Sequence, residues 1–260
     1  MTWRMCTHAS ADRFISSSIQ RHGCFECTEI RRLLATLRRN SSTLLLDLGG
    51  NIGMHSLAAA AHGHDAIVFE PVPDNVALML ASVRANNFHG RIHVFPLCVG
   101  ATGGQGCHLG THFRNQGKLE HRIYSEPQMG ADLTFPKQMS WQRSTLVTSV
   151  AVTVDDFVTP PRRPLLIKMD VENTECQAFR GMKRLLTHSQ VVGLQIEAKS
   201  IIAGCCAEVI KAPTGAFSIL SKQHGLCAYV NQNREPTPID AICRLRYNGI
   251  DEINLFWQAC

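Results

Sequence analysis

One stretch, residues 43–53, constrains the fold of this chain more than any other. It combines a short apolar run, residues 44–48, with a glycine-rich turn. A helical pattern follows over residues 51–62 and ends at Gly63. A buried strand, a glycine turn and a helix start form the ligand-binding corner of an open α/β sheet. The unpaired N–H groups at such a helix start favour an anionic ligand group.

The spacing of the turn excludes two common nucleotide-binding motifs. The dinucleotide motif G-x-G-x-x-G fails whether it starts at Gly49 or at Gly50, and the phosphate loop fails because no lysine follows. What remains is an acid and two turn glycines, Asp47, Gly49 and Gly53. An acid at a strand end repels a pyrophosphate but accepts a hydrogen bond from an ammonium group. This polarity suits a ligand such as S-adenosylmethionine.

A second acid follows at an informative distance. Residues 66–69 form another short apolar run, which ends at Glu70, 21 residues after Gly49. In nucleotide-binding α/β folds an acid about 20 residues after the turn accepts hydrogen bonds from ribose hydroxyls. A ribose without phosphates therefore fits both Asp47 and Glu70. The alternative is that the two acids only cap helices.

Five motifs together resemble the ordered motif set of the FkbM-type methyltransferases. They are DLGGNIG at 47–53, FEPVP at 69–73, TVDD at 153–156, IKMDVE at 167–172 and QIE at 195–197. The resemblance runs from about residue 14 to the C-terminus, with Asn173 where the family usually has glycine. It implies a class I, Rossmann-like methyltransferase, an α/β fold with a doubly wound, mostly parallel sheet and helices on both faces. Such enzymes use S-adenosylmethionine, most often to methylate a hydroxyl of a sugar or natural product.

The pattern along the chain predicts two parts. Residues 1–15 lack periodicity and are expected to be poorly ordered, and residues 14–39 are helical with a break at Gly23. The first part, residues 1–40, is similar to the N-terminal cover of many small-molecule methyltransferases. The second part, residues 41–260, is the predicted methyltransferase domain.

Within the second part the apolar runs alternate with helical patterns. Predicted strands after the first two are 92–99, 149–154, 165–169, 191–197, 226–230 and 252–257, and predicted helices are 73–86, 174–187 and 201–223, the last interrupted at 212–215. The family resemblance places strand 165–169 beside the first strand and makes the final strand antiparallel. Residues 101–148 are glycine-rich and irregular, as expected of hairpins or loops that face a substrate.

Seven residues are predicted to bind the cofactor. They are Asp47, Gly49, Asn51, Gly53, Glu70, Asn75 and Val99. Asn75 is expected to reach the adenosine or, alternatively, to cap the helix that starts near it. The resemblance places Val99, with its neighbours Cys98 and Gly100, beside the adenine.

Two carboxylates are predicted to act on the methyl acceptor. Asp170 and Glu197 stand at the ends of two strands, and chemistry in an open α/β sheet lies outside the carboxyl ends of its strands. Either one can position a hydroxyl or remove its proton. The alternatives are structural hydrogen bonds to loop N–H groups and, together with Glu172 or Glu175, a divalent cation site. No metal is assigned from the sequence.

Composition narrows the remaining possibilities. The 11 cysteines follow no framework spacing, so they are predicted to be free thiols of a reducing compartment, with Cys98 and Cys227 in core strands. Cys24 and Cys27 form the C-x-x-C motif, for which a metal or redox role near His22 is the alternative. No apolar segment reaches the length of a membrane span or a signal sequence. The protein is therefore predicted to be cytoplasmic and not bound to a membrane.

The sequence leaves three functions open. A net charge of +5 without a run of basic residues argues against a nucleic-acid partner, and a small-molecule methyl acceptor is expected. The first hypothesis is O-methylation of a small polar substrate. The alternatives are N-methylation and a catalytically inactive cofactor-binding interaction module.

Overall fold

The computed structural model describes residues 2–8, 12, 15–112, 115–124, 146–172, 174–197, 212, 214–231, 235–242 and 254–260. The strands there are β1 Leu44–Leu48, β2 Ala66–Phe69, β3 Ile92–Phe95, β4 Cys98–Val99, β5 Gln105–His112, β6 Asn115–Tyr124, β7 Leu146–Val152, β8 Leu165–Met169, β9 Val191–Glu197, β10 Leu226–Val230 and β11 Asn254–Ala259. The helices are α1 Ile15–His22, α2 Cys27–Leu37, α3 Met54–Ala61, α4 Pro73–Ala85, α5 Val154–Phe157, α6 Glu175–Arg180, α7 Lys183–His188, α8 Ala216–Ser218 and α9 Ile239–Ile242, with a π-helical segment Ile219–Gln223 after α8.

Seven strands form the central sheet, in the order β10-β11-β9-β8-β1-β2-β3. All pairs are parallel except those of β11, which runs antiparallel to both β9 and β10. The predicted fold class, a doubly wound and mostly parallel α/β sheet, is confirmed. Two expectations from the family resemblance are confirmed as well, because β8 lies beside β1 and the last strand is antiparallel.

The core lies on both faces of this sheet, which explains why its strands are continuous apolar runs rather than alternating ones. All five residues of β1 are buried. Leu44, Leu46 and Leu48 pack in one cluster with residues of α6 and α7, whereas Leu45 packs in a second cluster with residues of α2, α3 and α4. Asp47 lies on the same face as Leu45, inside the protein rather than at its surface.

A second sheet with the order β4-β7-β5-β6 follows the third strand. The prediction of one strand over 92–99 is wrong, because β3 ends at Phe95 and Cys98–Val99 pairs with β7 instead. Pro96 separates the two segments and lacks the N–H group that a sheet ladder needs. Strands β5 and β6 pair antiparallel, as the glycine pattern predicted. Side chains at positions 108–148, most of the stretch predicted to face a substrate, lie outside the described part of the structure.

The helix predicted over 174–187 is two helices in the structure. Gly181 lies against the backbone of Gly100, and a Cβ added there would stand 2.0 Å from the carbonyl oxygen of Gly100. At the start of the second helix, α7, the carboxylate of Asp155 accepts hydrogen bonds from the N–H groups of Arg184 (2.7 Å) and Leu185 (2.8 Å). Asp155 therefore caps a helix.

The N-terminal segment 2–8 is held by hydrogen bonds, so the expectation of poor order is wrong for these residues. The N–H group of Arg4 donates to Asn86 Oδ1 and that of Cys6 donates to Ser82 Oγ, both over 2.8 Å. His8 Nε2 lies 2.9 Å from Asn75 Oδ1. The segment thus lies along α4, whereas a boundary between two domains near residue 40 stays a prediction.

The cysteines differ from the prediction of free thiols. Disulfides join Cys24 to Cys27, Cys98 to Cys107 and Cys227 to Cys260. Because disulfides persist mainly in oxidising compartments, cysteine usage no longer argues for a reducing one. The part of the chain that the structure describes contains no helix of the length and apolarity that crossing a membrane requires.

Candidate functional site

The turn after β1 adopts a left-handed backbone at three residues. The φ angles are +80° at Gly49, +50° at Asn51 and +92° at Gly53. Glycine is required at Gly49, because an added Cβ would stand 1.7 Å from the carbonyl oxygen of Asp170. Helix α3 starts at Met54 rather than at Asn51, since left-handed residues cannot continue into a right-handed helix.

Glu70 holds this turn from the end of β2. Its Oε2 accepts the N–H of Asn51 over 2.8 Å, and its Oε1 accepts the N–H of Val72 over 3.0 Å and Asn75 Nδ2 over 3.2 Å. The side chain is buried. Burial raises the pKa of Glu70, and the hydrogen bonds from Val72, Asn51 and Asn75 oppose that rise because they favour the charged carboxylate.

An apolar cavity lies beside the turn, between the carboxyl ends of β1 and β2 and the second sheet. Its lining residues are mostly apolar: Gly49, Phe69, Pro71, Leu97, Cys98, Val99, Cys107, Val171 and Thr174. Phe69 stacks on Phe95 with ring centroids 5.1 Å apart, and Phe157 meets both rings edge-on. The structure therefore brings two predicted residues, Gly49 and Val99, to one apolar wall of a cavity of about 10 Å³.

A buried lysine lies on the other side of the turn. Lys168 Nζ donates to the carbonyl oxygen of Gly49 over 2.7 Å and lies 3.6 Å from Asp47 Oδ1 and 3.8 Å from Asp170 Oδ2. Burial alone would lower the pKa of Lys168. The nearby carboxylates, first of all those of Asp47 and Asp170, together have the larger effect in the opposite direction, so the pKa lies above its usual range. Lys168 is therefore a permanent cation that neutralises charge between β1 and β8.

His55 is the second buried titratable group of this region. Its ring, in the first turn of α3, lies 3.8 Å from Glu26 Oε2. Burial and then the charge of Lys168 lower the pKa of His55 to about 4, and Asp47 and Asp170 oppose the change. At neutral pH the contact of the ring with Glu26 thus involves a neutral imidazole and is not an ion pair.

An acidic cavity opens at the carboxyl ends of β8 and β9, beneath the start of α2. It is lined by Glu26, Glu29, Lys168, Met169, Asp170, Gln195, Glu197 and Asn254. Asp170, Glu172 and Glu197 each place a carboxylate oxygen within 4.8 Å of the others. The structure thus brings the two predicted catalytic carboxylates together, and the set of oxygens is suited to a proton or to a cation.

The other predicted cofactor residues lie behind the cavity walls. Asp47 is fully buried, and its Oδ2 accepts Ser56 Oγ over 2.5 Å. Gly53 lies against Met79, where an added Cβ would stand 2.7 Å from the side chain. Asn75 is buried between Glu70 and His8. These residues shape the site from within, and direct contact with a cofactor stays a prediction for each of them.

Sequence reasoning missed Lys168, His55 and Gln195 as parts of the site. A signal existed for Lys168, because it is a charged residue inside the apolar run 165–169, just as Asp47 is inside 44–48. An ionic group in a buried strand needs a partner, and adjacent parallel strands place these two side by side. No comparable signal marks His55 or Gln195, whose burial depends on the packing of α2 and α3.

A comparison with protein families matches residues 47–209 to the methyltransferase FkbM domain. The matched segment contains the site residues from Asp47 to Glu197, whereas Glu26 and Glu29 of the acidic cavity precede it. A comparison with curated protein sequences gave no match.

Several solved structures are similar to the chain at low identity. One is a methyltransferase FkbM from Methylobacillus flagellatus KT, with 16% identity, a TM-score of 0.47 and coverage of 83% of this chain and 43% of that one. Another is a putative O-methyltransferase from Klebsiella pneumoniae, with 10% identity, a TM-score of 0.43 and coverage of 94% and 87%. A putative RNA methyltransferase from Pyrococcus horikoshii has 13% identity, a TM-score of 0.40 and coverage of 88% and 82%. The chain thus spans less than half of the length of the first of these proteins.

Proposed function

Since the chain belongs to the FkbM methyltransferase family, whose members use S-adenosylmethionine, we propose that it methylates a hydroxyl of a small polar molecule such as a sugar or natural product. One observation carries the proposal: an apolar cavity and an acidic cavity lie on either side of the turn, where Gly49 of the first approaches the backbone of Asp170 of the second. The apolar lining of the first would hold the adenine of the cofactor, and the carboxylates of the second would hold a polar acceptor. The methyl acceptor would therefore lie on the Asp170 side of the turn.

The residues of the apolar cavity fit the adenosine part of the cofactor. Phe69 and Val99 offer apolar walls to the adenine. A carboxylate has about four lone-pair sites, and Glu70 uses three of them in the bonds to Asn51, Val72 and Asn75. The remaining site is available to a ribose hydroxyl. When bound, S-adenosylmethionine supplies a methyl group on a positively charged sulfur.

The acidic cavity fits the demands of a hydroxyl acceptor. A neutral hydroxyl is a weak nucleophile, and a carboxylate within hydrogen-bond reach orients it and accepts its proton. Asp170 and Glu197 are the proposed groups, because they stand at adjacent strand ends with oxygens close together. Lys168 contacts one oxygen of Asp170, and the other has no hydrogen-bond partner among the described residues.

Calorimetric titration with S-adenosylmethionine and S-adenosylhomocysteine tests the cofactor site. The wild type is expected to bind both, and Glu70→Gln is expected to weaken both by roughly 10- to 100-fold, the value of a charged hydrogen bond of about 1.5–3 kcal/mol. The control is Asp74→Asn, which neutralises an exposed acid on the same helix start. Binding that is absent from the wild type, or equal in Glu70→Gln and wild type, would contradict the proposed site.

A screen with labelled S-adenosylmethionine tests the acceptor. Matched panels of polyhydroxylated compounds and of primary amines are compared for wild type and Asp170→Asn. Label transfer to hydroxyl compounds that is lost in Asp170→Asn, with S-adenosylhomocysteine binding retained, is the expected result. Transfer to amines alone would replace the proposal by N-methylation.

A further inference from the structure

We propose that Asp170, Glu172 and Glu197 bind one divalent cation at the acidic cavity. One carboxylate oxygen from each residue lies within 4.8 Å of the other two. Oxygens bound to the same Mg²⁺ or Ca²⁺ lie about 2.0–2.6 Å from the ion, so they can be no more than about 5 Å apart. The three carboxylates therefore already stand at distances that a single ion can bridge. Without a cation, three like charges this close would repel one another.

A fourth side chain independently indicates a ligand in this place. Gln195 lines the same cavity as Asp170 and Glu197 and is only 8% exposed. Its Oε1 has no hydrogen-bond partner among the residues that the structure describes. A buried amide oxygen left in this state costs about 1–3 kcal/mol. Amide oxygens of Asn and Gln are common ligands of hard cations, directly or through a bound water.

The position of Gln195 on its strand explains why it reaches the carboxylates. It precedes Glu197 by two residues on β9, so both side chains point to the same face of the sheet. It also lies opposite Lys168 in the register of β8 and β9. Gln195 and Glu197 therefore share one face of the sheet at the end of β9, and the side chains of Asp170, Glu172 and Glu197 are half-buried.

The charge of the cavity favours a cation as well. Four carboxylates line it, those of Glu26, Glu29, Asp170 and Glu197, against the single ammonium of Lys168. That ammonium is already engaged by Gly49, by Asp47 and by Asp170 Oδ2. Oδ1 of Asp170 has no hydrogen-bond partner within the described part of the chain. Asp170 thus has one oxygen toward the lysine and one available to an ion.

The role of the ion rests on the proposed function and makes it more specific. An ion held by three carboxylates keeps open coordination positions, which two neighbouring oxygens of an acceptor can fill. A bound cation also lowers the pKa of a coordinated hydroxyl. The acceptor class that fits is a chelating one, a vicinal diol or a hydroxy acid, rather than an isolated alcohol.

Titration with Mn²⁺ tests the site without any turnover. Calorimetry and the loss of free Mn²⁺ signal in electron paramagnetic resonance are expected to show one site in the wild type. Asp170→Asn and Glu197→Gln are each expected to weaken the affinity by at least about tenfold, as removal of ligand-shell groups does. The matched control is Glu29→Gln, which removes one negative charge from the same cavity but none of the three carboxylates. Its affinity for Mn²⁺ is expected to fall less than that of Asp170→Asn or Glu197→Gln, because Glu29 changes only the electrostatic field of the cavity and provides none of the three carboxylates.

Other outcomes would overturn the proposal. One is the absence of saturable Mn²⁺ binding up to roughly 10 mM, a concentration above the weak end of protein cation sites. Another is an equal loss of affinity in Glu29→Gln, which would indicate only diffuse charge. If a carboxylate variant does not fold, Gln195→Met takes its place, since it keeps the volume and charge while removing the amide oxygen. Mn²⁺ affinity unchanged in Gln195→Met would then count against the site.

The cation site and the cofactor site are tested separately. Binding of S-adenosylhomocysteine is measured in EDTA, in parallel with the Mn²⁺ titration. Cofactor binding without Mn²⁺ binding would overturn the cation site alone and leave the proposed function standing. Mn²⁺ binding without cofactor binding would overturn the proposed function and leave the cation site.

Discussion

Lys168 Nζ donates a hydrogen bond of 2.7 Å to the carbonyl oxygen of Gly49, although the two residues are 119 positions apart in the chain. The bond joins the buried end of β8 to the turn after β1. It places a permanent positive charge behind the turn, between the apolar and the acidic cavity. The geometry of both cavities therefore depends on one buried side chain, which lines the acidic cavity and holds Gly49 of the apolar one.

Lys168→Met is expected to destabilise the protein by about 3–5 kcal/mol, because it leaves the buried carboxylate of Asp47 without its counter-charge. Urea unfolding followed by circular dichroism measures the loss. The exposed Lys183→Met is the control, with an expected change within about 0.5 kcal/mol. The double variant Lys168→Met with Asp47→Asn should recover part of the loss, since it removes both charges. A single variant as stable as wild type would show that the pair is not coupled.

Gly49→Ala is expected to cost more stability than Gly63→Ala. The two glycines have similar φ angles, +80° and +89°, but an added Cβ meets the carbonyl oxygen of Asp170 at Gly49 and nothing within 4 Å at Gly63. Left-handed backbone alone costs an alanine about 1–2 kcal/mol. Unfolding midpoints give the stability loss of both variants. The additional loss in Gly49→Ala over Gly63→Ala measures the cost of the close approach between the turn and the end of β8. Equal losses would mean that the turn can move away from Asp170.

The fold was predictable because it depends on patterns that lie within short segments. Buried strands, glycine turns and amphipathic helices each have a local signal, and the ends of parallel strands meet at one edge whatever the details. For this reason Asp170 and Glu197 were expected together, and the structure brings their oxygens within 4.8 Å. To predict that these two residues lie at the same edge of the sheet, no side-chain contact had to be known.

The rest depends on contacts between distant segments, which the sequence does not show. The sequence pattern suggested only a cofactor role for Asp47, which stays a prediction, and it did not reveal that the register of β1 and β8 places Asp47 beside Lys168 inside the protein. Cys98 looked like the continuation of a core strand, but Pro96 ends that strand and Cys98 joins another sheet, where it meets Cys107. The missed ion pair and the wrong strand both come from reading a local pattern without its neighbour across the sheet.

His55 makes the stability of the protein depend on pH between about 4 and 6.5. Its pKa is lowered to about 4 in the folded state, so between these values the unfolded chain binds a proton that the folded protein does not. The stabilisation is present above pH 6.5 and is lost as the pH falls toward 4. The loss between pH 7.5 and 4.5 is about 2–3 kcal/mol, because a difference of one pH unit between the folded and unfolded pKa corresponds to about 1.4 kcal/mol.

The measurement compares unfolding free energies at pH 7.5 and 4.5 for wild type and His55→Gln. Between pH 7.5 and 4.5, the unfolding free energy of His55→Gln is expected to fall by about 2–3 kcal/mol less than that of the wild type. The reason is that the unfolded variant has no imidazole at this position to take up a proton. Lys168, Asp47, Asp170 and Glu26 face the ring, and their own titration is common to both proteins. His89→Gln, at an exposed position, is the control and should keep the wild-type dependence. The same dependence in His55→Gln would assign the effect to other groups.

The disulfide between Cys98 and Cys107 is expected to support cofactor binding as well as stability. Both cysteines line the apolar cavity, and the bond joins β4 to β5 across it. The double variant Cys98→Ser with Cys107→Ser is expected to lose about 2–3 kcal/mol of stability, the value for a loop this short. Without the disulfide, the cavity wall has to become ordered when the ligand binds, at a cost in free energy of about 0.5–1.5 kcal/mol. The affinity for S-adenosylhomocysteine should therefore fall by roughly 2- to 10-fold.

The pair Cys227 and Cys260 provides the matched control, because it joins β10 to the segment after β11 at the opposite edge of the sheet from the cavity. Its sequence separation is 33 residues rather than 9, so its removal should cost more stability, about 4 kcal/mol. If the cavity wall is what matters, the variant without Cys227–Cys260 keeps the wild-type affinity for S-adenosylhomocysteine although it is the less stable. The variant without Cys98–Cys107 binds more weakly although it is the more stable. Affinities that follow stability in both variants would instead show that the disulfide acts on the fold as a whole and has no particular role at the cavity.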